Sequence, residues 1–287
     1  VGPQINAASR IDDSSLASKL LISNDIEQID SISRRLFLLN EKRKLIESQI
    51  FEEAKEQASH QVDEKFILVY GNNWHQGVLG IIASKISDIY YKPTIVISFL
   101  NNIGVGSARS IESIDLGKII LKAKQDKILV SGGGHSMAAG LKINFSNLEK
   151  FIIFFDTSFS IYNKTIFERV DCFDSTITLN DLNLELINSI DQLQPFGKGN
   201  SEPIFILKDV KIDSIKLIKN KHYLIFFKSD LGKKIKGICF NSKETILGDY
   251  LEKYLQYKFY FACTTSIDKF TSHPVPQLII KDIMKID

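Results

Sequence analysis

Between Asn24 and His60 the apolar residues Ile29, Ile32, Leu36, Leu39, Ile46, Ile50 and Ala54 recur at intervals of three, four or seven. That spacing lines one face of a single long α-helix. Asn24 and Asp25 stand at its start as caps. Helical as far as His60, it is about 50 Å long at about 1.5 Å per residue. A small domain has no use for such a rod in its own core, so the helix is expected to connect two domains. Arg34, Arg35, Lys42, Arg43 and Lys44 are expected to be mainly solvated charges along it, although Arg43 occupies a position of the apolar stripe itself.

Ahead of the rod, Asn6-Ala7-Ala8-Ser9-Arg10 suits either a helix start or a tight loop, and Asp12, Asp13 and Ser14 offer caps for a short helix through Leu20 and Leu21. The chain opens at Val1-Gly2-Pro3 and not at Met, so a fragment of a longer protein is expected.

Beyond the rod, strands and helices alternate. Phe66–Tyr70 is a buried strand closed by Gly71, Val78–Tyr90 an amphipathic helix stopped by Pro93, and Thr94–Phe99 and Ile103–Ile111 are strands. Asp115–Lys124 is a helix, Ile128–Val130 a strand entering a glycine-rich turn, Leu141–Ile143 a strand, and Asn147–Phe159 a helix. This order predicts an α/β sandwich on a largely buried sheet. Tyr162–Val170 reads as a linker and Leu182–Leu193 as a helix. Strand-like runs follow at Ile204–Ile215, Tyr223–Lys228, Lys234–Phe240, Tyr257–Ile267 and Gln277–Ile286. Five strands separated by turn residues predict a small antiparallel barrel, most simply of OB type. The expected segments are 1–61, 62–161 and 162–287, giving α/β plus all-β.

Length, 287 residues, suits two domains, and a net charge of +2 means that any basic site must be local. Cys172, Cys239 and Cys263 are far apart and odd in number, which argues against a disulfide scaffold or zinc ribbon and fits a reducing, cytoplasmic setting. No membrane span or signal peptide is expected. The histidines His60, His75, His135, His222 and His273 are dispersed. With no Asp-x-Asp pair, Asp-His-His triplet, Walker loop, nucleophile elbow or zinc signature, the chain reads as a substrate-holding part with no metal ligands of its own.

Five stretches remain as carriers of chemistry. Ser131-Gly132-Gly133-Gly134-His135 removes side chains from a run of backbone and allows φ > 0, so its N–H groups can converge on an anion beside His135; a flexible hairpin loop is the plain alternative. In Gly104–Ser110, Ser107 and Arg109 fall two apart on a strand and share a face, a hydroxyl and a guanidinium suited to phosphate; a surface Arg on an edge strand explains them too. Trp74 and His75 sit in a loop at the C-terminal end of a strand, where they either stack on a base or close the core and cap the helix. Gln194-Pro195-Phe196-Gly197-Lys198-Gly199-Asn200 reads as a rigid corner with Lys198 exposed. The barrel positions Lys219, Lys221, His222, Tyr223, Phe226 and Phe227 suit a strand-binding face, with the aromatics favoured as core.

Five motifs in order carry a family resemblance: Gly2–Arg10, Trp74-His75-Gln76-Gly77-Val78-Leu79-Gly80, Gly104–Ser110, Gly132-Gly133-Gly134-His135, and Gln194-Pro195-Phe196-Gly197-x-Gly-Asn. Over its whole length the chain resembles the C-terminal part of the RecJ family, bacterial single-stranded-DNA-specific exonucleases of the DHH phosphoesterase superfamily. The resemblance implies a DHH-associated domain and an OB-type domain behind a connector from an absent catalytic domain, which would hold Mn²⁺ or Mg²⁺. It implies 5′→3′ digestion of single-stranded DNA in repair and recombination, a monomer with no membrane partner, and single-strand-binding protein as a candidate partner. Arg10 would reach the scissile phosphate, Ser107 and Arg109 would hold the 5′-terminal phosphate or nearby backbone, and Asn6, His75, Gly132, Gly133, Gly134 and His135 would line the same groove. Gln4 stands where the family usually has a basic residue and Ser9 where it usually has glycine, which lowers the charge of that loop. Two other readings stay open. One is a DHH-family hydrolase of short oligoribonucleotides or small nucleotides, against which the barrel beyond Tyr162 argues. The other is a RecJ-like scaffold without catalysis in a replication assembly.

Overall fold

A computed structural model describes residues 2–169, 172–197, 199–208, 210–269 and 273–286. They form two compact units, Val1–Arg169 and Val170–Asp287.

The first unit begins with α1 (Gly2–Ile11), α2 (Ser15–Ile22) and α3 (Ile26–Ser59). The Asp25 carboxylate caps α3 by accepting from the N–H groups of Glu27 and Gln28. The rod is packed at both ends. Its Ile32 and Leu36 meet Ala8 of α1 and Leu16 of α2, while Ile50, Ala54 and Ala58 enter the core of the α/β domain.

Between those ends the stripe turns polar. Arg43 donates to Glu47 and, at 3.2 Å, to Asn40, with 13% of its side chain and 8% of that of Glu47 exposed. Lys85 reaches the other Glu47 oxygen at 2.7 Å. The expectation of a solvated Arg43 is therefore overturned: its place on the stripe aims it inward, where a carboxylate one turn away neutralises it. Arg34, Arg35, Lys42 and Lys44 are exposed.

The rest of this unit runs β1 (Ile67–Asn72), α4 (Gln76–Tyr90), β2 (Thr94–Leu100), β3 (Ile103–Arg109), α5 (Leu116–Gln125), β4 (Ser131–His135), β5 (Ala138–Asn144) and α6 (Leu148–Ser160). The sheet order is β1-β2-β3-β5-β4, with β1 and β2 parallel and the other pairs antiparallel. One face carries Ile95, Ile97, Ala108, Ala139, Leu141 and Ile143 and is covered by α5 and α6, with Phe151, Phe155 and Phe159 fully buried. On the other face α3 and α4 cover β1 and β2, and α4 reaches Ser107 and Arg109 of β3, leaving β5 and β4 open. The sheet is thus buried on both sides at β1 and β2, half-covered on this face at β3, and buried on one side at β5 and β4. The segment after α6 makes a 3-10 turn at Lys164–Phe167, and Tyr162, Ile166 and Phe167 pack on the core, so much of the expected linker belongs to this unit.

One local expectation is corrected. Ser131–His135 is a strand at the edge of the sheet, and the tight turn is Ser136-Met137 after it. Among the described glycines positive φ occurs at Gly199 and Gly232, so the triple glycine does not use that freedom. Close approach explains two of the three: a Cβ on Gly132 would lie 2.9 Å from Ile120, and one on Gly134 would lie 2.3 Å from the carbonyl oxygen of Ala138.

The second unit holds β6 (Ser175–Ile177), α7 (Leu184–Asp191), β7 (Phe205–Leu207), β8 (Lys211–Ile218), β9 (His222–Lys228), β10 (Lys234–Cys239), α8 (Ile246–Glu252), β11 (Lys258–Asp268) and β12 (Val275–Ile286). The run expected as one strand from Ile204 divides into β7 and β8, which pair with β11 and β9 respectively. The sheet order is β6-β7-β11-β12-β10-β9-β8, with β10 parallel to β12 and β6 parallel to β7, so the strands are not antiparallel throughout as expected. Its core holds Tyr223, Ile225, Phe227, Phe259, Phe261 and Leu278. No helix among the described residues is long and apolar enough to cross a membrane.

Candidate nucleic-acid interface

Strand register lays out the open half-face of the first sheet. Residues directly opposite one another in neighbouring strands share a face, and alternate residues along a strand repeat it. Arg109, Ala138 and His135 therefore form one row across β3, β5 and β4; Ser107, Gly140 and Gly133 form the next; Val105, Lys142 and Ser131 the third. The Ser107 row continues backwards through Val96 of β2 to Val69 of β1, where α4 and α3 cover it. No position of the open part is Asp or Glu. A Cβ on Gly133 would meet nothing within 4 Å, and one on Gly140 only the Gly106 carbonyl oxygen at 4.0 Å, so both glycines leave bare backbone facing free space.

Where the cover ends, Arg109 is half-buried. Its Nε donates to Ser84 Oγ at 3.1 Å and its Nη1 to the Ala108 carbonyl at 2.9 Å and to Ser107 Oγ at 3.4 Å. Burial, and after it the charge of Arg10, lowers the Arg109 pKa; a guanidinium still keeps its proton at neutral pH. Arg10 lies in the last turn of α1 and donates to the Gly77 carbonyl at 3.3 Å. Neither arginine makes an ion pair among the described residues. Two mutually repelling, partly desolvated guanidiniums with no carboxylate form a site that an anion would stabilise.

Two helix glycines make this convergence possible. A Cβ on Gly77 would sit 1.8 Å from the Arg10 carbonyl oxygen, and one on Gly80 would sit 2.9 Å from Arg109 Nη2 and 3.1 Å from Ser107 Oγ. Sequence reading placed Gly77 and Gly80 in a family motif without giving either a role, and did not single out Ser84. Their signal is two glycines three apart inside an amphipathic helix, where glycine is otherwise unfavourable, followed by a hydroxyl one turn on.

The other expected site residues separate. Trp74 is core: it is 6% exposed, donates from Nε1 to Glu53 Oε2 at 2.9 Å, and closes over Gly71. His75 caps α4, its Nδ1 accepting from the Gly77 N–H at 3.2 Å, and is exposed. Asn6 is exposed on α1, one turn before Arg10. His135 is exposed at the end of β4, where the hairpin tip is tied down by Leu116 N–H to Ser136 O and Ser110 N–H to Met137 O, both 3.0 Å. Gly133, Gly134 and His135 also line a groove of about 480 Å³ beside Asp115, Gly117 and Lys118.

In the second unit Tyr223 and Phe227 are core, as favoured from the sequence. Phe226 is half-buried under Lys216, and His222 Nδ1 accepts from Asn241 N–H at 2.8 Å. The corner is held by Asn200, which donates to the carbonyls of Leu193 and Pro195; Lys198 lies outside the described residues. Among the described residues no group of three or more His, Cys, Asp or Glu could hold a metal ion, so the Mn²⁺ or Mg²⁺ implied by resemblance has no fitting site among them.

Comparison with known proteins matches both units. A DHHA1 domain model matches residues 63–160 and a RecJ OB domain model residues 173–282. The single-stranded-DNA-specific exonuclease RecJ of Haemophilus influenzae is 30% identical, over 100% of this chain and 51% of the relative. That of Bacillus subtilis is 28% identical, over 98% and 36%. The crystal structure of RecJ from Thermus thermophilus in complex with Mg²⁺ shares the fold at a TM-score of 0.81 and 22% identity, covering 99% of this chain and 42% of that one. A Mn²⁺ complex of the same protein gives 0.79. The chain spans about half or less of the length of these relatives. The expected fold class, α/β followed by an OB domain, is borne out.

Proposed function

Because the chain belongs to the RecJ family, with a DHHA1 domain followed by a RecJ OB domain, we propose that it is the strand-holding part of a single-stranded-DNA-specific 5′→3′ exonuclease. The parent enzyme, a phosphodiester hydrolase of DNA repair and recombination, acts in the cytoplasm as a monomer and takes single-strand-binding protein as a partner. Its Mn²⁺ or Mg²⁺ is held by residues outside this chain, and residues 1–61 connect the holding domains to that centre.

The observation that supports this reading most is the pair Arg10 and Arg109, without a carboxylate, beside an open face with no acidic residue. In this reading Ser107 and Arg109 bind the 5′-terminal phosphate and Arg10 the scissile one. Asn6 and His75 flank them. His135 and the bare backbone at Gly133 receive the strand beyond, with Gly132 and Gly134 turned to Ile120 and Ala139 on the covered side. Such contacts give position and affinity, and the metals do the cutting.

The purified chain should bind single strands with a steep salt dependence and degrade none of them. Measurable Mn²⁺-dependent degradation by the chain alone would overturn the division of labour.

A further inference from the structure

The open face extends past the arginines, and its far end carries a cation that the proposed contacts leave unused. Lys142 lies at the centre of the third row, between Val105 of β3 and Ser131 of β4, on the same face as Ser107, Arg109 and His135. It is half-buried, and among the described residues it makes no ion pair and no side-chain hydrogen bond. Between Lys142 and the Arg109 row stand only Ser107, Gly140 and Gly133, so nothing larger than a hydroxymethyl group separates the two cations along the sheet. We infer that Lys142 is a second phosphate contact, gripping the body of a single strand whose 5′ end is held at Arg109. This rests on the reading of Ser107 and Arg109 as the end-binding pair.

The geometry sets the length of strand involved. Lys142 is four residues along and one strand across from Arg109, about 14 Å at about 3.4 Å per residue and about 4.8 Å between strands. A stacked strand covers that distance in about four nucleotides at about 3.4 Å each, and a drawn-out one in fewer. A dinucleotide held at Arg109 therefore stops short of Lys142, and a decamer passes it. Between them the chain offers bare backbone and small side chains with no base-reading array, so the grip takes any sequence.

Fluorescence anisotropy with a 5′-phosphorylated thymidine decamer, across a salt series, reads the contact, and competition by 5′-phosphorylated thymidine dinucleotide serves as the short-ligand control. Lys142→Gln should weaken decamer binding about two- to fivefold and reduce the slope of log K against log salt by about 0.7, with dinucleotide competition unchanged. Lys142→Arg should restore both values. An unchanged slope, or equal loss for dinucleotide and decamer, would overturn the assignment of Lys142. Arg109→Ala run alongside separates the two claims. If it loses both ligands while Lys142→Gln loses neither, only Lys142 is wrong; if it binds both as the unaltered chain does, the end-binding reading fails as well.

Discussion

Arg109 and His135 stand at opposite ends of one row of the open face, on β3 and β4, with only Ala138 of β5 between them. Two strand spacings of about 4.8 Å put their backbones about 10 Å apart. Neither is held by a carboxylate among the described residues, and the next row offers Ser107, Gly140 and Gly133. The sheet thus presents a shallow bed walled by a guanidinium on one side and an imidazole on the other.

The bareness of that bed is testable by filling it. Gly140→Ala and Gly133→Ala each add a Cβ that meets nothing closer than 4.0 Å. Stability should hold or rise by up to about 1 kcal/mol, since glycine costs a strand backbone entropy. Single-strand affinity should fall nevertheless, more for Gly140→Val than for Gly140→Ala. Gly134→Ala is the contrast: its Cβ would lie 2.3 Å from the Ala138 carbonyl oxygen, and the protein should lose about 1–3 kcal/mol. Thermal melts beside binding isotherms check both halves; unimpaired binding by Gly140→Val would mean that no strand approaches this backbone.

The polar middle of α3 should behave as a buried ion pair. Glu47→Leu leaves the Arg43 guanidinium inside without its neutralising partner, and denaturant unfolding should show a loss of about 3–5 kcal/mol. The double change Arg43→Met with Glu47→Leu should recover most of it. A loss below about 1 kcal/mol for the single change would mean that Arg43 escapes to water.

Much of the first unit was legible in the sequence, because period and punctuation are local. Pro93, the Asp25 cap and the apolar runs of β1 and β2 set their elements close to where they stand. What escaped depended on distant partners. Arg43 reads as a surface charge until Glu47 and the α4 residue Lys85 are brought to it. Trp74 reads equally as a stacking platform or as core until Glu53 takes its N–H. The triple glycine reads as a turn, since nothing nearby in sequence reveals that Ile120 and Ala138 crowd Gly132 and Gly134. That Ser107 and Arg109 share a face was legible from strand alternation, while the close approach at Gly77 and Gly80 needed the helix packed against them.

The cysteines give a pH-dependent prediction for the second unit. Cys263 is buried, and burial pushes its thiol from 9.0 up to about 12; burial likewise raises Cys239. Cys172 is exposed. At pH 8 a thiol reagent should modify one cysteine quickly in the folded chain and all three after denaturation. A raised thiol pKa contributes stability that is complete below the unfolded value and is lost as pH climbs, so the unit should weaken from about pH 9 towards 12. Tyr223, raised to about 12 by burial and then by its bond to Glu252, adds to the same trend. Cys263→Ala should flatten the alkaline decline; an unchanged decline would show that this thiol ionises freely.

The central claim, that Ser107 and Arg109 hold a 5′-terminal phosphate, is tested most directly by comparing 5′-phosphorylated and 5′-hydroxyl oligonucleotides of one sequence on the unaltered chain and on Arg109→Ala. Removing a charge-assisted contact worth about 1.5–3 kcal/mol should cost the phosphorylated strand tenfold or more and the hydroxyl strand far less. Equal losses for the two strands would contradict it.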